Sequence, residues 1–123
     1  MKVVLSIKPE FAFKIFDGTK KFEFRRSIFK NKDVHTVLVY ASSPIQRVIG
    51  EFRIKRIIND ELSALWDLTE SYSGISKDYF FKYFVDKDQG YAIEINDPIK
   101  YKTPKHLKEE FNLLPPQSFV YYS

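Results

Sequence analysis

The stretch "GTKKFEFRR", Gly18 to Arg26, sets four cations, one carboxylate and two phenylalanines directly after a glycine. Gly18 releases the backbone into a tight turn where a ligand can approach closely. Lys20 offers a point charge and Arg25 a planar fork that matches phosphate or a base edge. Glu23, on the same strand face as Arg25, either holds that fork or accepts a hydrogen bond from a base amino group. The plainer explanation of the spacing is a same-face ion pair on a solvated strand.

Charge is unevenly spread around this stretch. Residues 1 to 61 hold 13 Lys and Arg against 7 Asp and Glu, and residues 62 to 123 hold 7 against 9. All five arginines, Arg25, Arg26, Arg47, Arg53 and Arg56, lie in the basic half. That clustering points to a polyanionic partner better than the net charge of +4 does. Arg47 and Arg53 share a strand face with Lys55 and Glu51, a basic track for a phosphate backbone or simply a wet strand face. Tyr40, Ser42 and Ser43 put hydroxyls at the end of a strand, where they either meet a ligand or shape the turn. Phe119, Tyr121 and Tyr122 stack on bases in one reading and cover an end of the core in the other.

Other classes are excluded or unsupported. The chain has no cysteine, which removes disulfides, thiol nucleophiles and cysteine-held zinc and makes a reducing cytoplasm the expected home. His35 and His106 sit in unrelated segments without ligand spacing, so no metal site and no cofactor are expected. No apolar run approaches the length of a membrane span, and none is expected to meet a membrane. Oligomeric state is left open.

With 123 residues and 44% hydrophobic content, one domain with one core is expected over residues 1–123. Val3 to Ile7 reads as a strand. Pro9 opens a short helix that buries Phe11, Ile15 and Phe16 and stops at Gly18. Lys20 to Arg26 alternates as a strand, Phe22 and Phe24 on one face and Glu23 and Arg25 on the other. "VHTVLVYAS" is almost continuously apolar, the pattern of a strand covered on both faces. Ser43-Pro44 turns into "QRVIGEFRIKRII", whose Gly50 marks a bulge or a close backbone approach. "NDELSALWDLTE" and "SKDYFFKYFVD" read as capped helices, and "GYAIEIN" as a last core strand. Thr103-Pro104 is expected to cap a final short helix, and "PPQSFVYYS" to run extended. Strands this long need covered edges, which favours an α+β fold: a small, curved β-barrel of mixed or antiparallel strands with short helices at its ends.

The glycine stretch has the form G-x-K-x-x-E-x-R at Gly18, Lys20, Glu23 and Arg25. Together with "LVYASSPIQRVIGEF" and the closing "PPQSFVYY", it resembles the ASCH domain, a branch of the PUA-like proteins, over nearly the whole chain. The resemblance implies a PUA-like β-barrel with a cleft between barrel and helices, and a family proposed to bind RNA. Nucleic-acid binding in a basic cleft formed by Gly18, Lys20, Glu23, Arg25 and Arg26 is therefore the first expectation, with Tyr40, Ser42, Ser43, Arg47 and Arg53 extending it. A small hydrolase acting on a modified nucleoside or on RNA is the second; the resemblance extends to a metal-independent ribonuclease, for which Lys20 would be the electrostatic stabiliser and Glu23 the general base. An interaction domain without a nucleic-acid role is the third.

One branch of the family hydrolyses acetylated cytidine, with a lysine after the glycine assisting a threonine nucleophile three residues on. Lys20 matches that lysine, but Glu23 stands where the threonine would be. A carboxylate attacking an amide would form an anhydride, which the hydroxyl mechanism does not accommodate. The protein is accordingly expected not to turn over acetylated cytidine. Robust deacetylation that Lys20→Ala abolishes would overturn that expectation.

Overall fold

A computed structural model describes all 123 residues. Strand β1 (Lys2–Ile7) leads through helix α1 (Pro9–Asp17) to the short β2 (Phe22–Arg25). β3 (Thr36–Ala41) and the long β4 (Arg47–Glu61) follow. Helix α2 (Leu62–Thr69), a 3-10 turn (Glu70–Tyr72) and helix α3 (Lys77–Tyr83) lead to the long β5 (Gln89–Lys105). Helix α4 (Leu107–Phe111) and β6 (Phe119–Tyr122) complete the chain. No helix is long and apolar enough to cross a membrane.

The six strands form one mixed sheet in the order β2-β5-β4-β3-β1-β6. β1 and β3 run parallel, and the other pairs are antiparallel. The α+β class is as expected; a closed barrel is not what the pairings form. β2 and β6 are edges with no ladder between them. They are joined instead by a side chain: Arg25 of β2 donates to the carbonyls of Ser6 in β1 and of Ser118 just before β6. The sheet curls until its edges come within reach of one guanidinium.

The central parallel pair explains the continuous apolar run. Val37, Val39 and Ala41 join Val3, Leu5 and Ile7 in the largest core cluster, while Leu38 and Tyr40 join Val4 in a second cluster under α4. Both faces are covered, so alternation disappears. A third cluster lies where α2 and α3 pack on β2 and β5, centred on Phe80. Its ring has Phe24, Trp66, Phe81 and Phe84 at centroid distances of 4.9–5.2 Å. Those contacts fix α3 against the edge strand.

Three local readings are corrected. Asn59, Asp60 and Glu61 continue β4 because they pair with Tyr91, Gly90 and Gln89, and α2 starts only at Leu62, with Glu61 accepting from Ser63 N as its cap. β5 does not stop at Asn96 but runs on to Lys105, so Thr103-Pro104 lies in a strand and His106 precedes α4. In α1 the buried residues are Ala12 and Ile15, with Phe11 and Phe16 only half covered. Gly50 does sit at shifted register, and a Cβ there would meet the Ile99 carbonyl oxygen at 2.5 Å.

Phe80→Ala should lower unfolding stability by about 3–5 kcal/mol, the usual cost of emptying a fully buried aromatic site. Urea denaturation followed by tryptophan fluorescence, with Trp66 as reporter, measures it.

Candidate functional site

The site begins where α1 ends. Gly18 takes the left-handed conformation at φ 87°, and the Asp17 carboxylate accepts from Thr19 N at 2.9 Å and Thr19 Oγ1 at 2.6 Å. These two hydrogen bonds hold the Asp17 carboxyl below its usual range. The turn drives Lys20 inward, leaving it 2% exposed. Its Nζ donates to Ser73 O at 2.8 Å and lies 4.8 Å from the Phe24 ring centroid and 5.6 Å from that of Phe11. The backbone at Gly74 passes so close that a Cβ there would meet the Lys20 stem at 2.6 Å.

Burial brings the Lys20 amine down from 10.5 to about 8; the Glu23 charge opposes that shift and Lys14 adds to it. Glu23 faces Arg25, Oε2 to Nη1 at 3.1 Å, with both residues buried. Both terminal nitrogens of the guanidinium are committed as well. Nη1 also reaches Ser6 O at 3.3 Å, and Nη2 reaches Ser118 O at 3.1 Å and Ser118 Oγ at 2.9 Å. Tyr83 of α3 donates its hydroxyl to the edge carbonyl of Phe24 at 3.1 Å, and its own pKa is raised, chiefly by burial.

Between the free edge of β2, the ends of β1 and β3, α3 and the segment before β6 lies a cleft of about 460 Å³. That is room for a nucleotide-sized ligand. Lys20, Glu23, Arg25, Tyr40, Ser42 and Ser43 all line it. The structure does not bring the other four candidates there. Gly18 shapes the approach, and Arg26 lines a separate cavity. Arg47 donates to Gln46 O at the start of β4, and Arg53 is exposed further along that strand.

The cleft also contains residues that sequence reasoning left aside: Ser6 and Lys8 around the end of β1, Tyr79 and Tyr83 on α3, and Pro115 to Gln117. The tyrosines look like core at helical spacing. Only the "PPQ" of the closing segment carried a signal, through the family resemblance.

Comparison with known proteins agrees with this architecture. A family described as "Domain of unknown function (DUF365)" matches residues 1–113. The chain is 31% identical, over 98% of its length and 83% of the relative's, to an ASCH domain-containing ribonuclease of Zymomonas mobilis. It is also 32% identical to the large ribosomal subunit protein uL22 of Ureaplasma parvum, over 97% of this chain but only 38% of that protein's length. The crystal structure of ASCH from Zymomonas mobilis superposes with a TM-score of 0.88 at 30% identity, covering 99% of this chain and 87% of that one. A serine-to-alanine variant of it gives 0.90 at 28% identity, covering 99% and 88%. The chain belongs to the ASCH domain family.

The Lys20 environment makes a signed prediction. Below about pH 8 the amine is protonated in folded and unfolded chains alike, and its burial costs stability. Between about 8 and 10.5 the unfolded chain holds a proton that the folded one has lost, so this residue makes stability rise with pH. Lys20→Met should therefore gain most over the parent below pH 8, and the gain should shrink by pH 10. Denaturation series at both pH values, with the Lys20 midpoint read by NMR, check it; a gain independent of pH would contradict it.

Proposed function

We propose that these 123 residues act as one ASCH domain that binds single-stranded RNA in the cleft and cleaves it there. The observation that carries this reading is Lys20: a buried amine of lowered pKa, beside a carboxylate, in a cleft of nucleotide size. Lys8, Lys20 and Arg25 against Glu23 make the lining basic, and a chain without cysteine suits a reducing cytoplasm. The open sheet, tied across its edges by Arg25, serves as the barrel of the PUA-like class. The relative named as a ribonuclease supports RNA as the substrate.

In strand cleavage the ribose 2′-oxygen attacks phosphorus and the bond to the 5′-oxygen breaks, leaving a cyclic phosphate and a free hydroxyl. Glu23 takes the 2′ proton. The Lys20 ammonium neutralises charge on the phosphoryl oxygens and returns a proton to the leaving oxygen, a transfer favoured by a pKa near the working pH. Tyr40, Ser42 and Ser43 orient the nucleotide by their hydroxyls. Arg25 holds Glu23 in place, since four of its five N–H groups are already engaged within the protein.

A second reading, binding without cleavage, is favoured by the Arg25 contact on Glu23, which ties up one carboxylate oxygen. Glu23→Gln separates the two. As a general base, its loss leaves RNA binding intact or tighter and lowers cleavage by about a hundredfold or more. As a binding group only, its loss weakens affinity and the parent shows no cleavage. We expect the first result, with parental cleavage falling above about pH 8 as Lys20 loses its proton. A parent that binds RNA but never cleaves it leaves the binding reading alone standing.

A further inference from the structure

A second cavity, of about 390 Å³, lies beyond the C-terminal end of β2 and plays no part in the chemistry above. We propose that it is a phosphate subsite that holds the RNA strand running out of the cleft, an inference that rests on the RNA reading of that cleft. The two cavities are neighbours along the chain: Arg25 lines the first and Arg26 the second. Tyr83 links them: it lines the cleft, and its carbonyl accepts from Arg26 Nη1.

Arg26 is oriented in advance. Its Nη1 donates to Tyr83 O and to Val85 O, both at 2.8 Å, which fixes the guanidinium plane. Nε and Nη2 make no hydrogen bond within the protein, so the edge that receives phosphate in two-pronged fashion stays open. Lys30 and Lys87 line the same cavity and enter no ion pair. Asp88 is the one carboxylate among the lining residues, so the cavity carries an excess of two positive charges. Tyr91 adds a ring for base stacking, and Asn59, whose Nδ2 is bound to Gly90 O, keeps its amide oxygen for a donor. Fixed fork, free ammonium groups and an aromatic wall together suit a phosphodiester with its base, not an isolated anion.

The test compares a single-stranded RNA of about twelve nucleotides with a dinucleotide, which fills only one cavity. In Lys30→Gln/Lys87→Gln, affinity for the long RNA should fall, and the slope of log affinity against log salt should shrink by about 1.4, two phosphates at about 0.7 each. Dinucleotide affinity should hold. Arg26→Lys, which keeps the charge and removes the fork, should weaken the long RNA several-fold with the slope unchanged. An unchanged slope in the double variant overturns the subsite and leaves the cleft reading intact. Equal losses for long RNA and dinucleotide also overturn it, because they mark a general field and not a discrete site. A parent that binds neither RNA overturns the cleft reading and the subsite together.

Discussion

The Arg25 guanidinium is the contact on which the rest of the molecule depends. It sits on an edge strand, is 8% exposed, and spends its donors on Glu23, the Ser6 carbonyl and both oxygens of Ser118. Those acceptors belong to β2, β1 and the segment before β6, which lie at opposite ends of the strand order. One planar group thus does locally what a ladder of backbone hydrogen bonds would do along a whole edge. The ionic pair within it needs this full set of partners, since a buried charge with an unmatched neighbour costs about 3–5 kcal/mol. The sheet curves through its strand twist and the shifted registers of β3, β4 and β5, and Arg25 ties the two edges at one point beside the cleft that it lines.

The sequence showed the fold where packing and local preference agree. The β3 run is apolar on both faces because the parallel pairing with β1 buries both, and α1 lies between its proline and its glycine as its signals require. It misled where long-range pairing wins. "NDE" carries helix-cap chemistry, yet its backbone groups gain more by extending the ladder to Gln89, Gly90 and Tyr91. "GYAIEIN" reads as a complete strand and Thr103-Pro104 as a helix cap, but β5 runs on to Lys105, with Pro98 and Pro104 falling where its register with β4 shifts and no donor is needed. Barrel closure was inferred from the need to protect edges. The need was real, and side chains meet it: Arg25 bridges the gap and Tyr83 takes the Phe24 carbonyl.

The site was legible as a motif and illegible as a cavity. Lys20, Glu23 and Arg25 are close in the chain, and their types and spacing announce themselves. Ser6, Tyr83 and Gln117 are separated by most of the sequence and carry no shared pattern; only the topology brings them to one cleft. The basic track failed to assemble for a related reason. Arg47 and Arg53 share a strand, but β4 runs away from the cleft, with Lys55 and Arg56 near Glu94. Counting arginines finds a charged half of the chain without showing which of its charges face the same space.

The open edge and the cleft are one feature. A backbone ladder between β2 and β6 would satisfy every edge donor and acceptor, but it would bring the strands to about 4.8 Å and fill the space that the cleft occupies. A side-chain bridge closes the gap at a single point and leaves the rest open. The amine of Lys20 is then buried by protein on one side and faces the cleft on the other, with Glu23 near enough to oppose its loss of charge. Arg25 in turn holds Glu23, whose charge works against the effect of burial on Lys20. The contact that spans the gap between the two edges therefore also holds in place the carboxylate that bears on that amine, so the shape of the cleft and its chemistry share one guanidinium.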